Sequence, residues 1–313
     1  LRTPSGVSYM IESRNISQKL MPELCTANNL QGIEHYPKLL KEILQENSSA
    51  DQPFIVVLTP GRFNSAYYEH AFLAREMDVP LVTNRDLFVE NDQVFVKAIR
   101  GRQKVDVIYR RLDDDFLDPL AFRPDSALGV AGLMSAYLQK NVVIANAPGT
   151  GVADDKSIYP YVDQMIQYYL DETPILKNVP TCQCRKEEHL DYVLSNLDQL
   201  VVKEAQGSGG YGMLIGPKAS SCEIDEFRKK LIAMPHMYIA QPTLALSVAP
   251  TLTTGGVAER HIDLRPFVLS SPYRTEIVPG GLTRVAMQAG SLVVNSSQGG
   301  GIKDTWVVET LHS

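Results

Sequence analysis

Lys203 ends the β-branched run Val201-Val202-Lys203. It is soon followed by Gly207-Ser208-Gly209-Gly210-Tyr211-Gly212, four glycines in six residues, before the chain returns to apolar Met213-Leu214-Ile215. Glycines at this density open positive φ angles and let backbone N–H groups approach a ligand that side chains would block. A hairpin of bare amides beside an ammonium suits the phosphates of a nucleotide. A turn that needs glycine only to reverse the chain would read the same way. No Gly-Lys-Ser/Thr follows, so this is not a Walker loop, and no helix opens after Gly210, so it is not a Rossmann fingerprint.

A second lysine, Lys156, follows Gly149-Thr150-Gly151-Val152-Ala153-Asp154-Asp155, a glycine-containing turn at an expected helix start. Free N–H groups there favour an anion, and two cations converging on one triphosphate would make chemical sense. The alternative is an ion pair of Lys156 with Asp154 or Asp155 on a solvated face. Arg260-His261-Ile262-Asp263-Leu264-Arg265 alternates charge along a strand, so Asp263 and Arg265 share the face of His261. Such a face can line a cleft, or can carry a surface ion pair of little energetic weight. Arg284 follows Gly280-Gly281, and its fork suits carboxylate or phosphoryl oxygens. Asn295 to Asp304 holds three consecutive glycines, costly in folding entropy. A ligand-facing backbone and a plain flexible loop both fit that segment. Asp113-Asp114-Asp115 could attract a metal, but a helix cap and turn explain much of it. His70 reads as structural. There is no nucleophile elbow, no HExxH and no convincing Cys–His pair.

The elements expected to carry these groups are mixed. The segment 15–50 reads as helical, with apolar spacing in Tyr36 to Leu44. Phe54 to Gly61, a helix over Tyr68 to Met77 and the strand Pro80 to Val82 have the order of an α/β unit with parallel strands. Strands are expected over Gln93 to Ala98, Val105 to Tyr109 and Asn141 to Ala145, with helices over Leu128 to Tyr137 and Asp154 to Leu170. From 176 onward the texture becomes α+β, with helices over Glu187 to Leu197 and Glu223 to Ala233. The strands there are the Lys203 hairpin and Met237 to Pro242, followed by Ile262 to Leu269, Gly281 to Met287, Ser291 to Val294 and Thr305 to Val308.

With 313 residues, 44% hydrophobic and 21% charged, the chain has the composition of a globular protein with ample core. The net charge of −6 contains no basic block, so nucleic acid is not an expected partner. No apolar stretch reaches membrane-spanning length. Cys25, Cys182, Cys184 and Cys222 are sparse and irregular, which fits reduced thiols and a cytoplasmic location. Nothing sets the oligomeric state.

Several long segments together resemble the circularly permuted ATP-grasp proteins, the branch similar to glutathionylspermidine synthetase. They are Arg2 to Tyr9, Pro60-Gly-Arg-Phe-Asn-Ser-Ala-Tyr67, Tyr109 to Pro119, Asn146 to Lys156, the Lys203 hairpin and Arg260 to Lys303. The resemblance implies an ATP-grasp fold, part α/β and part α+β. Residues 1–145 would form an α/β region with a permuted segment, and 146–313 the nucleotide-binding region. It implies ATP and Mg2+ as cofactors, with Lys156 and Lys203 as nucleotide lysines. Gly207, Ser208, Gly209, Gly210, Tyr211 and Gly212 would form a loop over the phosphates, and Gln241 would lie at the adenine hinge. Arg265, Arg284, Ser297 and Gln298 would face the acyl group or the triphosphate, and Arg2 and Ser5 would lie near the metal ligands. The implied reaction joins a small-molecule or peptide carboxylate to an amine through an acyl phosphate. In this family the magnesium ligands sit just before the Arg-Thr-Pro-Ser-Gly segment, so they are expected upstream of Leu1. Asp263 is the remaining metal candidate. Two further readings are a non-catalytic nucleotide-binding scaffold of a peptide-modifying complex and a small-molecule phosphotransferase.

Overall fold

The computed structural model describes residues 3–99, 101–207, 212–294 and 299–308. The chain divides into two compact units: residues 1–151, 264–284 and 302–313 form the first, and 152–263 and 285–301 the second. The chain crosses between them four times: after Gly151, and inside three strands, after Asp263 in Gly256–Arg265, after Arg284 in Leu282–Val285 and after Gly301 in Gly301–Asp304.

The first unit is built on Ile55–Leu58, four apolar residues buried without exception. This strand runs parallel to Leu81–Val82 on one edge and to Val107–Arg110 on the other, and Val143–Ala145 adds a fourth parallel strand. A parallel sheet buried on both faces needs continuous apolar strands rather than alternating ones. The alternation instead divides two cores. Ile55, Val57, Val107 and Tyr109 pack with the helices Tyr36–Glu46 and Tyr67–Glu76. Val56, Leu58, Ile108 and Ile144 pack with Leu133 and Ala136 and with an antiparallel sheet of Leu87–Glu90, Gln93–Ala98 and Gly101–Lys104.

The second unit contains an antiparallel sheet in the order Leu214–Ile215, Leu200–Glu204, Tyr238–Pro242, Cys182–Gln183. Leu200, Val202, Leu214, Tyr238 and Ala240 pack with Val193, Phe227 and Leu231 of the helices Glu187–Ser195 and Ser221–Ala233. The pairing puts Lys203 opposite Ile239, Gln241 opposite Val201, and Gln183 opposite Ile239. Lys203, Gln241 and Gln183 therefore share the face turned away from that core.

Three expectations are corrected. Asp154 to Leu170 is not one helix: 3-10 turns at Thr150–Asp154 and Lys156–Ile158 precede an α-helix over Tyr159–Leu170. Pro160 lacks an N–H and would clash with a preceding helical turn, so the regular helix can only begin around it. Ser291 to Val294 and Thr305 to Val308 do not form strands; Gly301–Asp304 does, and Val308 makes a single bridge to Leu30. Their apolar pattern permits extended backbone, but pairing needs a partner edge that local sequence does not supply. A hairpin that the sequence analysis does not anticipate joins Leu87–Glu90 to Gln93–Ala98 through Asn91-Asp92, which turn the chain at φ 49° and 56°. Paired positive φ values of this kind suit a two-residue hairpin loop and favour Asn and Asp.

Candidate functional site

Strand geometry brings Lys203 and Gln241 together on the open face of the second unit's sheet. Lys203 Nζ donates to Gln241 Oε1 at 2.8 Å, and Gln241 Nε2 donates to Thr181 Oγ1 at 2.9 Å. Gln241 is buried, so its amide is fixed by these two contacts. Gln183, also buried, accepts from the Tyr161 hydroxyl at 3.1 Å and donates from Nε2 to the Ser157 carbonyl at 2.6 Å. That pair of bonds holds the 157–161 turn against the sheet. Lys156 sits one residue before it.

Lys156 does not make the surface ion pair that its neighbours suggested. Its Nζ donates to the carbonyl oxygens of Glu204 at 3.1 Å and Ala205 at 3.4 Å, and to that of Gly207. Its backbone N–H also donates to the Ala205 carbonyl, at 2.9 Å. Burial pushes the Lys156 ammonium below the usual lysine range, opposed by the charges of Asp155, Glu204 and Asp154. Lys203 is lowered as well, first by burial and then by the positive charge of Lys156. Two partly buried cations, with Lys203 lowered further by the charge of Lys156, form a place where a polyanion would relieve both desolvation and repulsion.

The glycine hairpin starts and ends beside them. Gly207 and Gly212 both lie against the Glu204 side chain. A Cβ at Gly212 would stand 2.7 Å from Glu204 Oε1, and φ there is +64°, in the left-handed region. Ser208, Gly209, Gly210 and Tyr211 lie outside the described residues, as do Arg2, Ser297 and Gln298.

Ser5 and Arg265 meet in the first unit, where Arg265 Nη1 donates to the Ser5 carbonyl at 2.8 Å. Arg284 lies in the first unit and Asp263 in the second. Arg111 and Glu69, which sequence reasoning left without a site role, hold the same segment more firmly. Arg111 Nη1 donates to the Pro4 carbonyl at 2.5 Å, and Glu69 Oε2 accepts from the Gly6 N–H at 2.7 Å and the Ser8 N–H at 3.2 Å. Arg110, fully buried, binds the carbonyls of Asn146 at 2.6 Å and Ala147 at 3.1 Å and pairs with Asp114 at 2.9 Å. Asp114 is thus engaged by an arginine. Among the described residues no group of three or more His, Cys, Asp or Glu is placed to hold a metal ion, and no helix is long and apolar enough to cross a membrane.

The second unit is thus an α+β unit whose open sheet face carries Lys203 and Gln241, with Lys156 at the root of the glycine hairpin. Residues 1–286 match the family described as circularly permuted ATP-grasp type 2, and the chain belongs to that family. It is 53% identical over 311 residues to a Synechocystis protein, covering 99% of this chain and 65% of that one. It is also 42% identical over 310 residues to a Frankia alni protein provisionally named a glutamate–cysteine ligase, covering 98% of this chain and 36% of the other. The chain therefore spans less than two thirds of the curated relatives it matches. Among solved structures, a glutathione synthetase-like effector from Globodera pallida in its apo form aligns with a TM-score of 0.55 at 9% identity, over 98% of this chain and 69% of that chain. At that identity the likeness concerns the fold.

Proposed function

We propose that the chain carries the nucleotide site of an ATP-dependent carboxylate–amine ligase. The observation that carries this reading is the convergence of Lys203, Gln241 and Lys156 at the root of the glycine hairpin in a chain of the ATP-grasp family. Lys156 and Lys203 would meet phosphate oxygens, and Gln241, its amide oriented by Lys203 and Thr181, would present its remaining N–H to the nucleotide. Gly207 to Gly212 would supply backbone amides. A substrate carboxylate oxygen attacks the terminal phosphorus, ADP leaves, and an amine then displaces phosphate from the acyl carbon to give the amide. Such chemistry is mainly positioning and neutralisation of developing charge, which is work for lysines and arginines rather than for a protein nucleophile. Arg2, Ser5, Arg265, Arg284, Ser297 and Gln298 are assigned to the acyl or triphosphate side in this reading. Magnesium belongs to the same reading, but the described residues form no cluster fit to hold it, so no step is assigned to it. The name of the Frankia relative favours glutamate and cysteine as the first substrates to try, ahead of glutathione and spermidine.

Calorimetric titration of ADP and ATP, with and without magnesium, tests the assignment. Wild type should bind ADP, and Lys203→Ala should bind it about ten- to a hundredfold more weakly, the value of one or more charge-assisted hydrogen bonds. Equal affinity in the two proteins would remove the nucleotide from this face.

A further inference from the structure

The parallel sheet of the first unit has the order Leu81–Val82, Ile55–Leu58, Val107–Arg110, Val143–Ala145. After Ile55–Leu58 the chain pairs first on one edge of that strand and then returns to the other. The direction of winding therefore reverses between Ile55–Leu58 and Val107–Arg110. In open parallel sheets such a reversal leaves a crevice at the carboxyl ends of the two strands, because their outgoing loops part in opposite directions, and ligands settle there. In this unit the two outgoing loops begin at Thr59 and Arg111.

The first of these loops is built in an unusual way. Its root is fixed: Thr59 Oγ1 accepts from the Gly61 N–H at 3.1 Å and meets His70 Nδ1 at 2.8 Å, with Thr59 and His70 both buried. Its outer part is bare. Phe63 is 91% exposed, and the Arg62 guanidinium lies 5.0 Å from its ring centroid with no carboxylate partner among the described residues. A guanidinium with no carboxylate partner among the described residues, beside a solvated aromatic ring on a hydrogen-bonded root, is a poor way to stabilise a fold but a good way to meet an anion with an apolar stem. Across the reversal, the Arg111 side chain is 1% exposed and directs Nη1 and Nη2 to Pro4, Tyr109 and Glu69, while its buried Nε has no partner among the described residues. Arg62, not Arg111, is therefore the guanidinium open to a ligand at this end of the sheet.

We propose that the carboxyl end of this sheet is a binding site for an amino-acid or peptide carboxylate, with the Arg62 fork on the carboxylate and Phe63 over its carbon chain. The site lies wholly within the first unit. Its identification with the carboxylate substrate of the ligation rests on the ligase reading above; its existence as a carboxylate site does not.

The test is calorimetric titration of L-glutamate and of glutathione into wild type, Arg62→Ala and Arg62→Lys, with ADP titrated into each and thermal unfolding recorded. Arg62 is exposed, so all three proteins should melt alike. Wild type should bind at least one of the two carboxylates, Arg62→Ala should bind it about tenfold or more weakly, and Arg62→Lys should fall between, having charge without the fork. ADP affinity should be the same in all three. If neither carboxylate binds wild type, or if Arg62→Ala binds as tightly as wild type, the proposal is overturned. If Arg62 matters for the carboxylate while ADP binds none of the proteins, the carboxylate site stands and the ligase reading falls.

Discussion

Arg111 Nη2 lies 2.8 Å from Glu69 Oε1, with the two side chains only 1% and 2% exposed. The pair does more than neutralise itself. Glu69 Oε2 also accepts from the N–H groups of Gly6 and Ser8, at the start of the helix Val7–Leu20, whose own N-cap residue is a glycine with no side chain to offer. A carboxylate from one helix thus caps another, where the helix dipole favours negative charge. Arg111 in turn grips the Pro4 carbonyl. The segment running into the helix is fixed by charge from two distant parts of the chain.

Removing one partner of this pair leaves a buried, uncompensated charge. Glu69→Ala should cost about 3–5 kcal/mol, the usual penalty for breaking a buried pair from one side. Urea unfolding measures it. A loss under about 1 kcal/mol, the range of exposed pairs, would mean that water reaches the pair in solution.

Gly6 itself should resist substitution. Its φ is +109°, and a Cβ there would stand 2.8 Å from Leu282 Cδ2 and 3.4 Å from Arg265 Nη1. Gly6→Ala should destabilise the protein by about 1–3 kcal/mol through left-handed strain and overpacking together. A thermal midpoint equal to that of wild type would contradict this backbone geometry.

His70 predicts a dependence on acid. Burial, with a smaller contribution from the Arg111 charge, lowers its pKa from the ordinary 6.5 to about 3. A neutral ring whose Nδ1 accepts from the Thr59 hydroxyl fits that shift. Between pH 6.5 and about 3 the unfolded chain takes up a proton that the folded protein refuses, so stability from this group is lost as pH falls through that window. The loss should approach about 1.4 kcal/mol per pH unit for the single group. Subtracting the pH profile of His70→Asn from that of wild type isolates it, and two parallel profiles would show that the ring charges in the native state.

A local prediction concerns the helix Ser221–Ala233. Ser220 accepts from the Glu223 N–H at 3.3 Å, and the Glu223 carboxylate accepts from the Ser220 N–H at 2.8 Å, forming a capping box. Ser220→Ala should cost about 1 kcal/mol. Chemical denaturation that leaves the midpoint unmoved would show that this helix draws its stability from Phe227 and Leu231 alone.

Much of this protein is legible in its residues. Ile55 to Leu58 reads as a buried strand because four consecutive apolar residues have no other economical fate. The helix expected over Asp154 to Leu170 is legible in its C-terminal part only: it begins at Tyr159, because Pro160 forbids a regular turn before it. Lys203 and the glycines after it suit a phosphate in the sequence alone, since glycine's freedom and lysine's charge are properties of the residues themselves. The family is legible for the same reason: long motifs are strings of such local demands. Gln183 and Glu69 are different. A lone glutamine in Cys182-Gln183-Cys184 and a glutamate in an amphipathic helix have no local signature. Each acquires its role only when strand pairing, or the packing of one helix on another, sets it against a segment distant in sequence. Lys156 shows the limit most plainly. Its neighbours Asp154 and Asp155 argue for a surface ion pair, yet its ammonium reaches the carbonyls of Glu204, Ala205 and Gly207 instead. Sequence determines which groups can bear charge, turn or pack; only the tertiary fold decides which of them meet, because contacts between distant segments depend on register and packing that no local window contains.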